Sequence, residues 1–166
     1  MYNLVKVFSH KTIETVCMLS QEITMEQNRK NAYSSKYYTE GEAEYNYVKK
    51  NMANTFYFII EKENIPIGYI SLIVEENVLI LNKLRVIASE INEQLYAYVH
   101  DEIMYSMNKL MLTVLYTKVP RADKPLQDFF SRQGMLNISE IQDGLAYKRK
   151  RSDITFLEAL DVKMKA

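Results

Sequence analysis

The order of periodic segments predicts an α/β (α+β) fold, in which a mixed, mostly antiparallel central sheet is flanked by helices. Two long stretches, 10–29 and 93–107, carry apolar residues at helical spacing. Between them, three β-rich runs follow one another through short turns, as in antiparallel strands. The helix at 93–107 then separates the third run from another strand, so those two strands should be parallel neighbours.

The N-terminal half contains the first strand, two helices and a hairpin. MYNLVKVF alternates loosely and predicts a short first strand. The first helix is followed by the polar, Tyr-rich connection NAYSSKYYTEG. A second helix is predicted from Thr39 to Met52, with Tyr45 and Val48 facing inward. TFYFIIEKENIPIGYISLIVEE predicts two strands joined at EKEN.

The C-terminal half continues with strands and helices in alternation. NVLILNKLRVIA predicts the third strand of the meander, and Glu93–Met107 the helix that follows it. KLMLTVLYTKV predicts the next strand, and ADKPLQDFFSRQGM a helix that ends at Gly134. LNISEIQDGLAYKRK predicts a closing strand or hairpin that turns at Asp143-Gly144. SDITFLEALDVKMKA predicts a C-terminal helix capped by Ser152 or Asp153.

Length and composition limit the classes of function. At 166 residues the chain has the length of one domain, which we expect over 1–150, with a C-terminal helical extension over 151–166. Lys+Arg and Asp+Glu balance at 21 each, so no overall positive charge attracts nucleic acid. No apolar run is long enough to span a membrane, and the N-terminus lacks the pattern of a signal peptide. We therefore expect a cytoplasmic protein that binds neither nucleic acid nor membrane.

The only cysteine, Cys17, cannot form an internal disulfide. It lies in the apolar stretch TVCMLS of the first predicted helix, and no histidine stands near it in sequence. We expect a buried thiol rather than a nucleophile.

Three local motifs, in this order, resemble the GNAT superfamily of N-acetyltransferases over residues 1–150. IPIGYISL at 65–72 is similar to the family's "g.ivGyi.l" strand, and LNKLRV at 81–86 to its "i..L.V" strand. DKPLQDFFSRQGM at 123–135 is similar to its "N..A..lYeklGF" helix. The resemblance implies a GNAT-like fold and transfer of an acetyl group from acetyl-CoA to a primary amine of a small molecule or protein.

The turn after the second motif departs from the family pattern. In the family, a Q/R-x-x-G-x-G/A loop follows the "L.V" strand, and its backbone N–H groups bind the pyrophosphate of acetyl-CoA. An ungapped count places Ile91 at the Gln/Arg position, Gln94 at the first glycine and Tyr96 at the second small residue. A side chain at a glycine position stands in the space that a phosphate needs. A shift of one residue would bring Ala97 to the small position.

Two acids at the same turn also argue against phosphate binding there. If the helix begins near Ser89 or Asn92, Glu90 and Glu93 fall at or near its first turn, where carboxylates stabilise a helix through its dipole. We favour this structural role over a role in binding. By resemblance alone, a bound cofactor would contact Leu84, Arg85, Val86, Ile91, Asn92, Glu93, Gln94, Leu95, Tyr96 and Asp123.

The groups that would do the chemistry also depart from the family. Phe130 occupies the position of a tyrosine that often protonates the leaving thiolate, and phenylalanine has no proton to give. Tyr116, on the preceding strand, is a weak substitute because a strand tyrosine more often packs. Asn82, Lys83 and Arg85 stand on the strand where the family commonly carries a glutamate base. We therefore assign no catalytic residue.

Neither the histidines nor the basic run predicts a further site. His10 and His100 are far apart in sequence, so we predict no metal site and no histidine-based triad. KRKR at 148–151 is expected to be a solvated strand end rather than a nucleic-acid site.

Two surfaces could contact a partner or a second copy in a homodimer. The C-terminal helix carries an apolar face that must cover either the domain's own sheet or another subunit. The connection and second helix are rich in tyrosine, which reflects either a recognition surface or the composition of the chain. The residues are Tyr33, Tyr37, Tyr38, Tyr45 and Tyr47 in the Tyr-rich segment, and Ile154, Leu157, Leu160 and Met164 in the C-terminal one.

Two functions follow from this sequence. One is an active N-acetyltransferase with acetyl-CoA as its cofactor. The other is a non-catalytic protein of the same fold, with a binding or regulatory role and no cofactor. The degenerate turn and the missing acid and base favour the second.

Overall fold

The structure is a computed structural model that describes residues 1–30, 44–120, 123–133, 136–141 and 144–150. The chain folds into two compact units. The first unit contains residues 1–73 and 82–92, and the second contains residues 74–81 and the described residues from 93 onward.

The first unit joins antiparallel strands to two helices. β1 (Tyr2–Lys6) pairs with β2 (Phe56–Lys62), and β2 pairs with β3 (Ile65–Glu75), both in antiparallel register. The turn between β2 and β3 has positive φ at Glu63 (49°) and Asn64 (65°), the conformation of a tight hairpin turn made here without glycine. The hairpin predicted at EKEN is confirmed. The elements are β1 (Tyr2–Lys6), α1 (His10–Lys30), α2 (Tyr45–Asn51), β2 (Phe56–Lys62), most of β3 (Ile65–Glu75) and, from Asn82 onward, the second half of β4, a strand that spans Val78–Val86.

Helix α2 begins later than its periodicity predicts. Glu44 has extended backbone angles (φ −91°, ψ 126°), so the helix begins at Tyr45 and not at Thr39. Residues 39–43 of the predicted helix lie outside the described part of the chain. Val48 is fully buried and Tyr45 is half-buried, which confirms the predicted inward face.

The core of the first unit lies between α1, α2 and one face of the strands. Helix α1 supplies half of it, but Met18 and Met25, which share the helical spacing of its apolar residues, are exposed. Cys17 is a buried free thiol as expected. The core residues are Val7, Ile13, Val16, Cys17, Leu19, Ile23, Val48, Tyr57, Ile59 and Tyr69.

The second unit begins with the first half of β4 and continues through α3. β4 pairs in parallel with β5 (Val114–Pro120). β7 (Gly144–Lys150) pairs in antiparallel register with β5 on one side and with β6 (Leu136–Ile141) on the other. The hydrogen-bonded strand order is β1-β2-β3-β4 in the first unit and β4-β5-β7-β6 in the second, which confirms the mixed, mostly antiparallel sheet. The elements are α3 (Glu93–Lys109), β5 (Val114–Pro120), α4 (Lys124–Arg132), β6 (Leu136–Ile141) and β7 (Gly144–Lys150).

Strand β5 is shorter than its apolar run predicts. Helix α3 continues to Lys109, and the chain then turns at Met111 with a φ of 57°, so the strand begins at Val114. The i+4 face of α3 is buried as predicted. Gly134, Asp143 and residues 151–166, for which a C-terminal helix is predicted, lie outside the described residues.

Candidate functional site

The end of β4 is held against β3 by a close backbone contact at Gly68. A Cβ at this position would lie 2.4 Å from the carbonyl oxygen of Arg85 and 2.9 Å from the Cα of Val86. Only glycine fits without moving one of the two strands. The N–H of Ile87 donates to the carbonyl of Ile67 at 2.9 Å, which fixes where β4 ends. The family-like glycine of IPIGYISL therefore positions the turn that follows β4.

The ladder between β4 and β5 is short. It joins Val78–Leu81 to Val114–Thr117, although β4 continues to Val86. At its end the buried Thr117 Oγ1 donates to the carbonyl of Leu81 at 3.0 Å. In the register of the described residues, the positions after Leu81 have no partner in β5. The predicted cofactor positions Leu84, Arg85 and Val86 are the last three residues of β4.

The turn after β4 directs several backbone N–H groups to acceptors within the chain. A short 3-10 turn covers Ala88–Glu90. In it the N–H of Glu90 donates to the carbonyl of Ile87 at 2.9 Å, and the N–H of Ile91 donates to the carbonyl of Ala88 at 3.3 Å. The N–H of Ala88 donates to Oε2 of Glu26, at 3.1 Å. A carboxylate of the chain itself therefore accepts from an N–H group three residues before Ile91, the first position of the counted loop.

Glu26 was not identified from the sequence. It lies on α1, 62 positions before Ala88, and the spacing of residues within α1 says nothing about that partner. The neighbouring Leu19 and Ile23 are buried, so the helix that carries Glu26 is anchored in the core of the first unit.

The two acids predicted to stabilise the helix start are both ion-paired. In the first unit, Glu90 Oε2 lies 3.0 Å from Lys62 Nζ, and this hydrogen bond raises the pKa of Lys62. In the second unit, Glu93 Oε1 lies 2.6 Å from Arg132 on α4. Their positive partners belong to the protein, which agrees with a structural role for both acids.

The remaining predicted residues of the turn do not all face outward. Leu95 is fully buried and Tyr96 nearly so, with the Tyr96 ring centroid 5.5 Å from that of Phe129. α3 already begins at Glu93, so Tyr96 lies in the helix, and its ring packs on α4. Gln94 is exposed.

Asn92 lies just before α3, at one of the two positions predicted for its cap. Its side-chain Nδ2 donates to the Tyr2 hydroxyl at 3.3 Å and to the carbonyl of Glu90 at 3.4 Å. These bonds tie the end of the turn to β1.

Helix α4 begins with the cap that the sequence predicts. Asp123 Oδ1 accepts the N–H of Leu126 at 3.2 Å, and Pro125 lies in the first turn. Burial raises the pKa of Asp123, against the smaller opposing effect of this hydrogen bond. Leu126, Phe129 and Phe130 are buried, which confirms the predicted apolar stripe.

The predicted acid positions offer little proton chemistry. Phe130 is packed edge-on against Phe129, with ring centroids 5.8 Å apart. Tyr116 lies half-buried on β5, in register with Ile80. On β4, the strand where the family commonly carries a glutamate base, Asn82 is exposed. Its Nδ2 donates to the hydroxyl of the fully buried Ser71 at 3.3 Å.

The histidines have local partners. His10 Nε2 lies 2.8 Å from Glu14, and the His10 ring lies 4.8 Å from that of Tyr45. His100 is buried, with its ring edge-on to Phe129. Among the described residues there is no group of three His, Cys, Asp or Glu that could hold a metal ion. The helices within those residues include none with the length and apolar character needed to cross a membrane.

The fold is shared with solved acetyltransferase structures. No family model matches the sequence, and no curated protein matches it. The structure matches PaiA N-acetyltransferase from Thermoplasma acidophilum in complex with coenzyme A, with a TM-score of 0.72 and 16% identity over 90% of this chain and 99% of that one. It also matches an acetyltransferase of the GNAT family from Staphylococcus aureus, with a TM-score of 0.71 and 16% identity over 91% and 99% of the two chains.

The chain has the GNAT fold. A third structure, FdhC, described as a nucleotide-linked sugar GNAT, covers 99% of this chain and 92% of its own length, with 19% identity and a TM-score of 0.68. The fold predicted from the three motifs is therefore confirmed. At these identities the GNAT fold alone is shared, and function must be argued from the site.

Proposed function

We propose that this chain is a GNAT-fold protein in which the turn after β4 does not hold pyrophosphate in the family's manner. Acetyl transfer is then weak or lost, and the chain has a binding or regulatory role. The observation that carries the proposal is that N–H groups of this turn are satisfied within the chain: Ala88 N–H donates to Glu26, and the N–H of Ile91, the first counted loop position, donates to the Ala88 carbonyl.

Electrostatics gives the free-energy cost of placing a pyrophosphate near this carboxylate. A pyrophosphate that used the Ala88 N–H would have to displace the Glu26 carboxylate or lie beside it. A hydrogen bond to a charged group contributes about 1.5–3 kcal/mol, and two like charges about 4 Å apart repel by a further ~1 kcal/mol even in water. A loss of about 1.5–3 kcal/mol alone weakens binding roughly tenfold to 150-fold.

The residues available for chemistry support the same proposal. Phe130 has no proton to donate to a thiolate, and it is buried against the ring of Phe129. Asn82 stands in the base strand, and a side-chain amide cannot take a proton from an ammonium group near neutral pH. The turn, the acid and the base thus differ from the family pattern independently.

A second candidate is an active N-acetyltransferase that moves an acetyl group from acetyl-CoA to a primary amine. One observation favours it: Leu84–Val86 form the end of strand β4, and the resemblance expects the cofactor's pantetheine arm along that segment. Two structures of the same fold are described as complexes with coenzyme A or acetyl coenzyme A. In this candidate Tyr116 would stand in for the missing acid.

Thermal unfolding with acetyl-CoA separates the two candidates. A ligand at 100 times its dissociation constant adds about 2.7 kcal/mol, which for a chain of this size raises Tm by about 5–10 °C. We expect no such shift for the wild type at millimolar acetyl-CoA. We expect a measurable shift for Glu26→Gln, because the competing charge is gone, and none for the control Glu22→Gln on the exposed side of α1. A wild-type shift of several degrees would refute the proposal and favour the active enzyme.

The partner in a binding role would be a protein or a second copy of the chain, in the cytoplasm. Tyr47 of the Tyr-rich segment is exposed, which supports a contact surface on α2. The other predicted surface is the apolar face of residues 151–166. Light scattering should detect a homodimer, and removal of residues 153–166 should weaken it. A monomer whose stability and associations do not change on that deletion would contradict this proposal.

A further inference from the structure

Two adjacent apolar side chains project from the turn that joins α3 to β5. Leu110 is 58% exposed and Met111 is 74% exposed, whereas the next residue, Leu112, is buried. Single exposed apolar residues are common on protein surfaces, but neighbouring ones indicate a contact surface. We refer to Leu110 and Met111 together as the α3–β5 turn.

The backbone of this turn is held in a conformation that methionine rarely adopts. Helix α3 ends in a Schellman motif, in which the N–H of Leu112 donates to the carbonyl of Met107 at 2.8 Å and the N–H of Met111 to that of Asn108 at 3.2 Å. Met111 has a φ of 57°, the left-handed conformation that glycine or asparagine usually supplies at this place. A contact that covers the methionine side chain would offset both its strain and its exposure to water.

The described chain leaves the sheet beside this turn. Strand β7 is antiparallel to β5, and its last residue, Lys150, is in register with Val114, the first residue of β5. The residues that follow Lys150 therefore start at the end of the sheet where the α3–β5 turn enters. One strand spacing and three residues of extended chain place Lys150 within roughly 12 Å of Met111.

The next residues, 151–166, lie outside the described part of the chain, but their sequence predicts an amphipathic helix. Its apolar positions, from Ile154 to Met164, extend over about 15 Å, which is long enough to cover two adjacent side chains. Glu158 and Asp161 each follow an apolar position by four residues, so they border the same face. Lys109 is exposed next to the α3–β5 turn, so the charges around the two surfaces are complementary.

We propose that the α3–β5 turn receives the apolar face of residues 151–166 of a second copy of the chain. The contact is reciprocal in a two-fold pair, in which each copy contributes one segment and one turn. The start of the segment beside the receiving turn suits this exchange, because each segment then crosses only a short distance to the other copy. The inference rests on the proposed homodimer and deepens it, since it names the surface that residues 151–166 cover.

Association of the full chain tests the receiving surface. Met111→Asn removes the apolar side chain but suits the left-handed backbone, so the Tm of the monomer should not fall, whereas the dimer dissociation constant should rise at least tenfold. Leu110→Ser should weaken the dimer in the same way. Met18→Asn is the matched control, because Met18 on α1 is 56% exposed, and it should leave the dissociation constant unchanged. Sedimentation velocity measures these constants, and equal values for the wild type, Met111→Asn and Leu110→Ser would overturn the proposal.

Disulfide trapping shows which copy supplies the segment. Met111→Cys and Leu157→Cys are made as separate variants and mixed, with the buried Cys17 present in both. Oxidation should yield a covalent heterodimer of the two variants, identified by its mass. A mixture of Ile65→Cys with Leu157→Cys is the control and should yield none, because Ile65 is exposed on the β2–β3 hairpin, away from the proposed contact. In the double variant Met111→Cys/Leu157→Cys, a bridge formed only within one chain would overturn the proposal, since the segment would then cover its own domain.

The proposed function and this inference fail on different results. A thermal shift of the wild type with acetyl-CoA would refute the lost-cofactor proposal without changing the association of the chain. A dimer that depends on residues 153–166 but not on Leu110 or Met111 would refute this inference alone. A wild type that is monomeric would refute the homodimer and this inference together.

Discussion

Substitution of Gly68 by alanine tests the backbone contact that positions the candidate site. The added Cβ would lie 2.4 Å from the Arg85 carbonyl oxygen and 2.9 Å from the Val86 Cα, where ordinary contact begins at 3.4 Å. The strands must therefore separate by about 1.0 Å at the oxygen, the difference between 3.4 and 2.4 Å. Since both neighbours are backbone atoms, we expect a cost of about 2–3 kcal/mol, the upper part of the range for overpacking.

Urea unfolding measures this cost directly. For a chain of this size, a loss of 2–3 kcal/mol corresponds to a fall in Tm of about 4–12 °C. Val74→Ala, at a more exposed position of the same strand, is the matched control and should change stability by about 0.5 kcal/mol or less. If Gly68→Ala is as stable as that control, the close approach of β3 and β4 does not constrain the end of β4, and our account of the turn is wrong.

Three further substitutions test single interactions. Glu26→Ala should lower the free energy of unfolding in urea by about 1–2 kcal/mol because the Ala88 N–H loses a charged acceptor, and Glu26→Gln should lower it by less. Equal stability of the wild type and both variants would contradict the bond. Burial raises the pKa of Asp123, so the folded state holds this proton more tightly than the unfolded chain. Relative to Asp123→Asn, the wild type should therefore lose stability as the pH rises from about 4 through the raised pKa, and a stability difference independent of pH would refute this. Thr117→Val removes the buried bond to the Leu81 carbonyl and should cost about 1 kcal/mol, whereas a neutral effect would mean that this bond does not secure the end of the ladder.

The elements that the sequence predicted correctly are those whose signals are local. Helices α1 and α3 follow from apolar residues repeated every three or four positions, and the cap at Asp123 from its place before Pro125. Where tertiary packing decides, prediction was less accurate. α2 begins at Tyr45 and β5 at Val114, because the backbone leaves the predicted conformation at Glu44 and turns at Met111.

The candidate site divides in the same way. Counting along the chain located the turn after β4 and the unusual residues in it, since motif spacing is a property of the sequence. The same counting gave Tyr96 a position in the loop but not the direction of its ring, which packs on Phe129. A residue's number in a motif does not determine the direction of its side chain, which depends on where the helix begins.

The sequence by itself determined the order of strands and helices, the GNAT-like motifs and the absence of a glycine from the turn after β4, because each depends on residues close together in the chain. Only the tertiary structure decided which groups satisfy that turn and that strand. Glu26 reaches Ala88 across 62 positions, and Ser71 reaches Asn82 from the neighbouring strand. Such partners are chosen by the packing of α1 and the register of the sheet, and no local spacing encodes them.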